Sequence, residues 1–211
     1  MHLYERSASL GGQWIPATAA KPQIGTLTEN MKHRLAASGA KVHLEHPLDA
    51  QGVLALAPDL VVVATGAKQS LPDIPGIRGK NIVMAWDVLD GSVQTGQEVV
   101  VVGGGLTGSD CAYYLARQGK RVSLINNSQV LVHVERLSKL TLKEKLIQRG
   151  VYIYPRSRAE SLTEHGVNVI NDGELGKIDY STYIKERLTG FEGETTANPG
   201  SREAKLFPGF W

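Results

Sequence analysis

The chain has 211 residues with a formal net charge of +2, 42% hydrophobic and 21% charged, the profile of a soluble globular protein with room for one or two domains. So small a charge, with Lys and Arg scattered and no aromatic ladder among them, argues against nucleic acid or an anionic membrane as partner. The longest apolar run, near Leu60 to Ala64, is far short of the ~20 residues of a membrane span.

In chain order, His2 to Glu5 reads as a strand end, and Ser9-Leu10-Gly11-Gly12-Gln13 as a turn. Thr26-Leu27-Thr28-Glu29 fits a capping box, predicting a helix with Leu27, Met31 and Leu35 on one face and Gly39 as its stop. Lys41 to Leu44 predicts a short strand. Leu60-Val61-Val62-Val63-Ala64, entering Thr65-Gly66, predicts a strand buried on both faces of a parallel sheet. Pro72, Pro75 and Gly76 mark a linker before a short strand at Ile82 to Met84.

A second unit follows: a strand at Val99 to Val102, a glycine turn, a helix from Leu106 to Gln118 stopped by Gly119, and a strand at Arg121 to Ile125. Leu137 to Arg149 predicts another helix, stopped by Gly150, then come a strand at Val151 to Tyr154 and a hairpin over Leu162 to Ile170. Beyond Gly173 the pattern dissolves, and from about residue 190 the chain reads as linker or disordered tail. The alternation predicts an α/β fold with Rossmann-type parallel sheets.

The most informative stretch is the four-valine strand entering Gly103-Gly104-Gly105-Leu106-Thr107-Gly108, a G-x-G-x-x-G turn between strand and helix. Gly103 permits the sharp turn, Gly105 lets a pyrophosphate approach the backbone, and Gly108 lets the helix pack on the strand. The phosphates would lie over the free N–H groups of the helix N-terminus. Thr107 and Ser109 could bond phosphate or simply cap the helix, and Asp110 reads as structural. The ribose-reading position, 23 residues after Gly103, is Asn126, which can bond a ribose but does not repel a 2′-phosphate. Lys120 and Arg121 start that strand and point away, so NADH and NADPH both stay open.

Cys111 is the only cysteine, which excludes an intrachain disulfide, a C-x-x-C pair and a cysteine-based metal site. It reads as a packing residue beside Leu115 and Ala116. His43 and His46, three apart on a predicted strand, should face opposite ways, and His2, His33, His133 and His165 have no ligand-spaced partners. No metal site and no acid, base or nucleophile is expected. A hydrolase elbow and a P-loop are both absent by spacing.

With these residues in view, the chain resembles the C-terminal flavoprotein half of the NADH:flavin oxidoreductases related to old yellow enzyme, the group of 2,4-dienoyl-CoA reductase, enoate reductases and trimethylamine dehydrogenase. The resemblance runs from about His2 to Ile170. It rests on Leu3-Tyr4-Glu5, Leu10-Gly11-Gly12-Gln13, Ala64-Thr65-Gly66-Ala67 with Ile74-Pro75-Gly76, and the glycine turn, in that order. It implies hydride transfer from NADH or NADPH to a flavin. It further implies a partial FAD-binding domain over 1–80, an NAD(P)-binding domain over 81–175 and a tail over 176–211. By the same resemblance Glu5 would bind the FAD adenosine ribose, Gly11, Gly12 and Gln13 would lie near the flavin, and Ala64, Thr65 and Gly66 would pass the FAD phosphates. Taken singly, Glu5 reads equally as a solvated strand end, Leu10 to Gln13 as an ordinary loop and Thr65-Gly66 as a strand-ending turn.

Three features of that group have no counterpart here: a first FAD glycine motif about 23 residues ahead of Glu5, a returning Gly-Asp pair, and the barrel that carries FMN, an iron–sulfur cluster and the substrate pocket. The expectation is therefore a fragment cut at both ends, with weak or no FAD retention and the rest of the flavoprotein as partner. A non-catalytic dinucleotide-binding module and an inactive truncated fragment are the competing readings. The start Met1-His2-Leu3-Tyr4-Glu5-Arg6 has no secretory character, so a cytoplasmic location is expected.

Overall fold

The computed structural model describes residues 1–69, 71–131 and 134–171, and residues 174–179 as backbone. Of the tail expected over 176–211, residues 176–179 belong to a strand, and residues 180–211, like His133, lie outside the described residues. The chain divides into two compact units, 1–69 and 70–211.

In the first unit, β1 (His2–Tyr4) pairs in parallel with β2 (Lys41–His43), Leu3 standing opposite Val42. A parallel pair needs a crossover, which α1 (Trp14–Ala20) and α2 (Pro22–Ala37) supply. Helix α2 starts a turn before the expected capping box, because Pro22 at its first position has a pre-set φ and no N–H to leave unsatisfied. Thr26 therefore lies inside the helix, and Glu29 pairs with Lys32 at 2.7 Å. The buried position of α2 is Thr28, whereas Leu27 and Met31 are about half exposed. Gly39 follows the helix end as expected, with φ +72. The third helix, α3 (Ala50–Ala55), is capped by Asp49, whose carboxylate accepts the Gly52 N–H at 2.8 Å.

The strand expected at Leu60 to Ala64 does not form. The segment carries no strand assignment, and Leu60, Val62 and Val63 are about 80% exposed. A run apolar on both faces becomes a strand only between neighbours, and β1 and β2 pair with each other alone. Among the described residues of this unit only Ala20 and Thr28 are buried, so it encloses no hydrophobic core of its own.

The second unit is different. Ile82 to Met84, expected as a strand, is an irregular approach to a short helix, α4 (Ala85–Leu89), with Met84 at its N-cap. Strand β3 (Glu98–Val102), helix α5 (Leu106–Arg117) and strand β4 (Arg121–Ile125) follow as the sequence predicts. Helix α6 (Arg136–Gln148) then leads to β5 (Tyr152–Tyr154). The Glu135 carboxylate caps α6 by accepting the Leu137 and Ser138 N–H groups, and these bonds hold its pKa below the usual carboxylate range. The strands form a parallel sheet of order β3-β4-β5, half of a Rossmann sheet. Helix α5 packs on β3 and β4 and α6 packs on α5, with Cys111, Ala112, Leu115 and Ala116 of α5 and Leu142 and Leu146 of α6 all buried.

The expected hairpin is the centre of a larger element. Strands β6 (Ser157–Leu162), β7 (Gly166–Asn171) and β8 (Glu174–Asp179) form an antiparallel sheet, and β8 runs past Gly173, where sequence pattern gave no strand. Ala159, Leu162, Val167 and Val169 from this sheet form a core with Ile125 and Tyr154, and Ile74, Ile77 and Ile82 pack onto it. The segment 74–82 is fastened there. Leu162 N–H donates to Pro75 O at 2.8 Å, and the Asn81 amide donates to Thr163 O at 3.0 Å.

Candidate functional site

At the C-terminal end of β3 the chain turns at Gly103, φ +110, and its N–H donates to Ile125 O at 2.8 Å. Gly104 is buried, and a Cβ there would meet Val130 and Asn126 at 2.6 and 2.9 Å. Gly108 packs directly on the Gly103 carbonyl. Gly105 is the exception. It is exposed, and a Cβ on it would meet nothing within 4 Å. Three of the four glycines are required by the protein's own geometry, and the fourth faces open space where a ligand's phosphates can approach.

Gly105 is also the N-cap of α5, and no side chain caps the helix. The first N–H groups of a helix have no intrahelical partner, and Leu106 and Thr107 beside them are exposed. Open space at Gly105 and an uncapped helix start together fit the pyrophosphate of a dinucleotide. Ser109 is fully buried and its hydroxyl donates to Gly104 O at 3.4 Å, inside the turn. Thr107 keeps its place at the rim.

Asn126 closes the turn from behind. Its Oδ1 accepts the Gly104 N–H at 2.9 Å, and its Nδ2 donates to Ser128 O, Ser128 Oγ and Gln129 O, each at 3.1 Å. The carboxamide expected to read a ribose is thus bonded at both ends within the protein.

On α5, Cys111 is 3% exposed, and burial, helped by the neighbouring Asp110 charge, pushes its thiol up to about 12. It is a packing residue beside Leu115 and Ala116, as the sequence suggests.

In the first unit, Glu5 Oε1 accepts the Ser7 N–H at 2.8 Å. Gly11 and Gly12 form the turn into α1, and Gln13 is the N-cap of that helix. Its Nε2 donates to Ala67 O at 3.4 Å, and a Cβ on Gly66 would lie 2.9 Å from that Nε2. Two stretches over fifty residues apart therefore meet, while Ala64 and Thr65 remain exposed. Among its described residues this unit has no tight strand–glycine–helix turn like that at Gly103, since nine residues, Gly11 and Gly12 among them, separate β1 from α1.

The same unit corrects the histidine reading. Strand β2 ends at His43, and the chain passes through Glu45 at φ +52, which returns His46 toward His43 and Tyr4 instead of leaving it on the opposite face. His2 Nδ1 lies 3.1 Å from His43 Nε2 across the β1–β2 pair, one ring donating to the other. Desolvation in this cluster and the neighbouring His43 and Lys41 charges hold the His2 pKa below its usual value. Sequence spacing missed the contact because strand pairing, not separation along the chain, makes it. No group of three or more His, Cys, Asp or Glu among the described residues is placed to hold a metal ion, and none of the described helices is long and apolar enough to cross a membrane.

Known proteins resemble this chain in sequence and fold. The chain is 32% identical over 185 residues to the NADH oxidase of Thermoanaerobacter brockii, an alignment covering 84% of the chain and 28% of the relative. It is 28% identical over 172 residues to the bilirubin reductase of Mediterraneibacter gnavus, covering 80% of the chain and 27% of that protein. Among solved structures, a 2-naphthoyl-CoA reductase bound to 2-naphthoyl-CoA superposes with a TM-score of 0.79 at 26% identity, over 85% of this chain and 28% of the other. A histamine dehydrogenase from Rhizobium sp. shares the fold, with a TM-score of 0.67 at 18% identity over 85% of this chain and 30% of that one. The chain thus spans under a third of the length of these relatives. The model of the pyridine nucleotide-disulphide oxidoreductases matches residues 7–187, and the chain belongs to that family.

Proposed function

We propose that the chain is the pyridine-nucleotide-binding module of an FAD-dependent NAD(P)H oxidoreductase of the old yellow enzyme-related group. The observation that carries this reading is the turn from Gly103 to Gly108. Its glycines are sterically required at 104 and 108, and at 105 the backbone is bare beside an uncapped helix. Gly103, Gly104, Gly105, Leu106, Thr107 and Gly108 would hold the pyrophosphate, the backbone N–H groups providing the positive end of the α5 dipole. Asn126 would keep that turn in shape.

When bound, the nicotinamide supplies a hydride that a flavin can accept at N5. The part played by this chain is to bind and orient. Nothing in the turn needs to gain or lose a proton. Glu5, Gly11, Gly12, Gln13, Ala64, Thr65 and Gly66 are proposed as the chain's contribution to an FAD site, supported by the convergence of Gln13 with Gly66 and Ala67. The remainder of such a flavoprotein, with its FMN and iron–sulfur barrel, is the proposed partner, since relatives extend well beyond the matched region.

A second reading, dinucleotide binding without hydride transfer, is favoured by the first unit's lack of a buried core. A fluorescence titration of the chain with NADH and NADPH beside Gly105→Val tests the site. A Cβ at this position meets nothing within 4 Å, so loss of saturable binding by a folded variant would report occlusion of the phosphate position. Unchanged binding would refute the turn as the site. Dinucleotide-dependent reduction of an artificial acceptor by the chain supplied with FAD would separate the first reading from the second.

A further inference from the structure

A dinucleotide lying on the Gly103–Gly108 turn directs its adenosine ribose toward the residues that follow the next strand, here Asn126 onward. An acidic residue there would accept both ribose hydroxyls and repel a 2′-phosphate. None stands between Asn126 and Val134. Glu135, the next along the chain, has its carboxylate on the Leu137 and Ser138 N–H groups. Asn126 is turned inward onto Gly104, Ser128 and Gln129.

A cation is brought to the same corner from further along the chain. Asn126 N–H donates to Tyr154 O at 2.9 Å, Ser157 N–H to Asn126 O at 2.8 Å, and Arg156 N–H to Ser128 O at 3.2 Å. These backbone bonds fix Arg156 beside Ser128 at the ends of β4 and β5. Arg156 is exposed and sits at φ +50, a region costly for a residue other than Gly, Asn or Asp. Turn geometry alone would favour one of those smaller residues.

We propose that this corner selects NADPH over NADH, with Arg156 receiving the 2′-phosphate of the adenosine ribose. The proposal rests on the dinucleotide-binding reading above and deepens it. A guanidinium matches phosphate geometry with paired N–H donors, and no carboxylate in the loop opposes it. The test titrates the whole chain with NADPH and NADH, with adenosine 2′,5′-bisphosphate and 5′-AMP as competitors. NADPH should bind about tenfold more tightly, and the bisphosphate should outcompete 5′-AMP. Arg156→Gln should bring the NADPH/NADH ratio close to one, and Arg156→Lys should retain part of it. Added salt should shrink the preference in the native chain more than in Arg156→Gln. Circular dichroism checks that both variants fold, and the native chain's preference for NADPH and for the bisphosphate is read without them. Equal or tighter binding of NADH, or a preference untouched by Arg156→Gln, would overturn the inference and leave the dinucleotide site standing. Failure of a folded chain to bind either nucleotide would overturn the dinucleotide reading itself.

Discussion

A Cβ added to Gly108 would lie 1.8 Å from the carbonyl oxygen of Gly103, far inside any permitted contact. The first turn of α5 and the end of β3 therefore touch backbone to backbone. Gly108→Ala should force them apart and lower stability by about 1–3 kcal/mol, the usual cost of overpacking. Gly105→Ala, with open space in place of that contact, should cost under about 1 kcal/mol. Urea denaturation of the two variants checks the contrast, and equal losses would refute it.

Asn126 gives a second prediction. Asn126→Asp keeps an acceptor for the Gly104 N–H but offers no donor to Ser128 O and Gln129 O, which accept from Nδ2 in the native chain. Neutral-pH stability should fall by about 1–3 kcal/mol, the cost of unmade hydrogen bonds at a partly buried site. Carbonyl oxygens facing the new carboxyl raise its folded pKa. The deficit should therefore shrink as pH falls and the protonated acid regains a donor. Denaturation midpoints of variant and native chain, compared between pH 7 and pH 4, would show this convergence.

Cys111 should be inert in the folded chain. With its thiol pushed up to about 12, its thiolate population near pH 8 is negligible, so a thiol-specific chromogenic reagent should react only after unfolding. The sign for stability follows from the same shift. A raised folded pKa leaves stability constant below the ordinary thiol value near 9. Between there and about 12 stability should fall, by at most about 1.4 kcal/mol per pH unit from this group. Cys111→Ala should flatten that part of the pH profile.

The segment 60–64 predicts association. Leu60, Val62 and Val63 present apolar side chains to solvent on backbone that no strand pairs, a template for pairing with another chain. Val62→Lys should reduce concentration-dependent self-association in light scattering. It should leave the thermal transition of the second unit unchanged, since Val62 belongs to neither of its sheets. Persistent association of this variant would place the sticky surface elsewhere.

Legibility of the sequence tracked burial. The β3–α5–β4 unit could be read almost to the residue, because its valine run pairs with β4, Gly104 and Gly108 are closed in by neighbouring atoms, and the stop at Gly119 is a left-handed residue at φ +80. The same periodicity failed at Leu60 to Ala64, where the apolar signal is as strong but no neighbouring strand converts it into structure. Local rules failed at Thr26 to Glu29 because Pro22 nucleates the helix earlier. They were silent on Arg156 and Asn126, whose juxtaposition depends on β4 pairing with β5. Spacing singles out Asn126 as the residue that follows β4 but says nothing of what its side chain holds. Its bonds run backward into the glycine turn, which spacing cannot reveal.

The stitching of residues 74–82 onto the β6–β7 sheet bears on where this chain can be divided. Ile74, Ile77 and Ile82 are buried partly by that sheet, and Gly76 lies so close to the Leu162 carbonyl that no side chain could stand in its place. A cut just ahead of residue 81 would strip two of those isoleucines from the core and uncover the hairpin backbone beneath Gly76. A cut near residue 70 would leave them seated. The proline- and glycine-rich stretch that looks like a tether between two parts is, for most of its length, the outer wall of one of them.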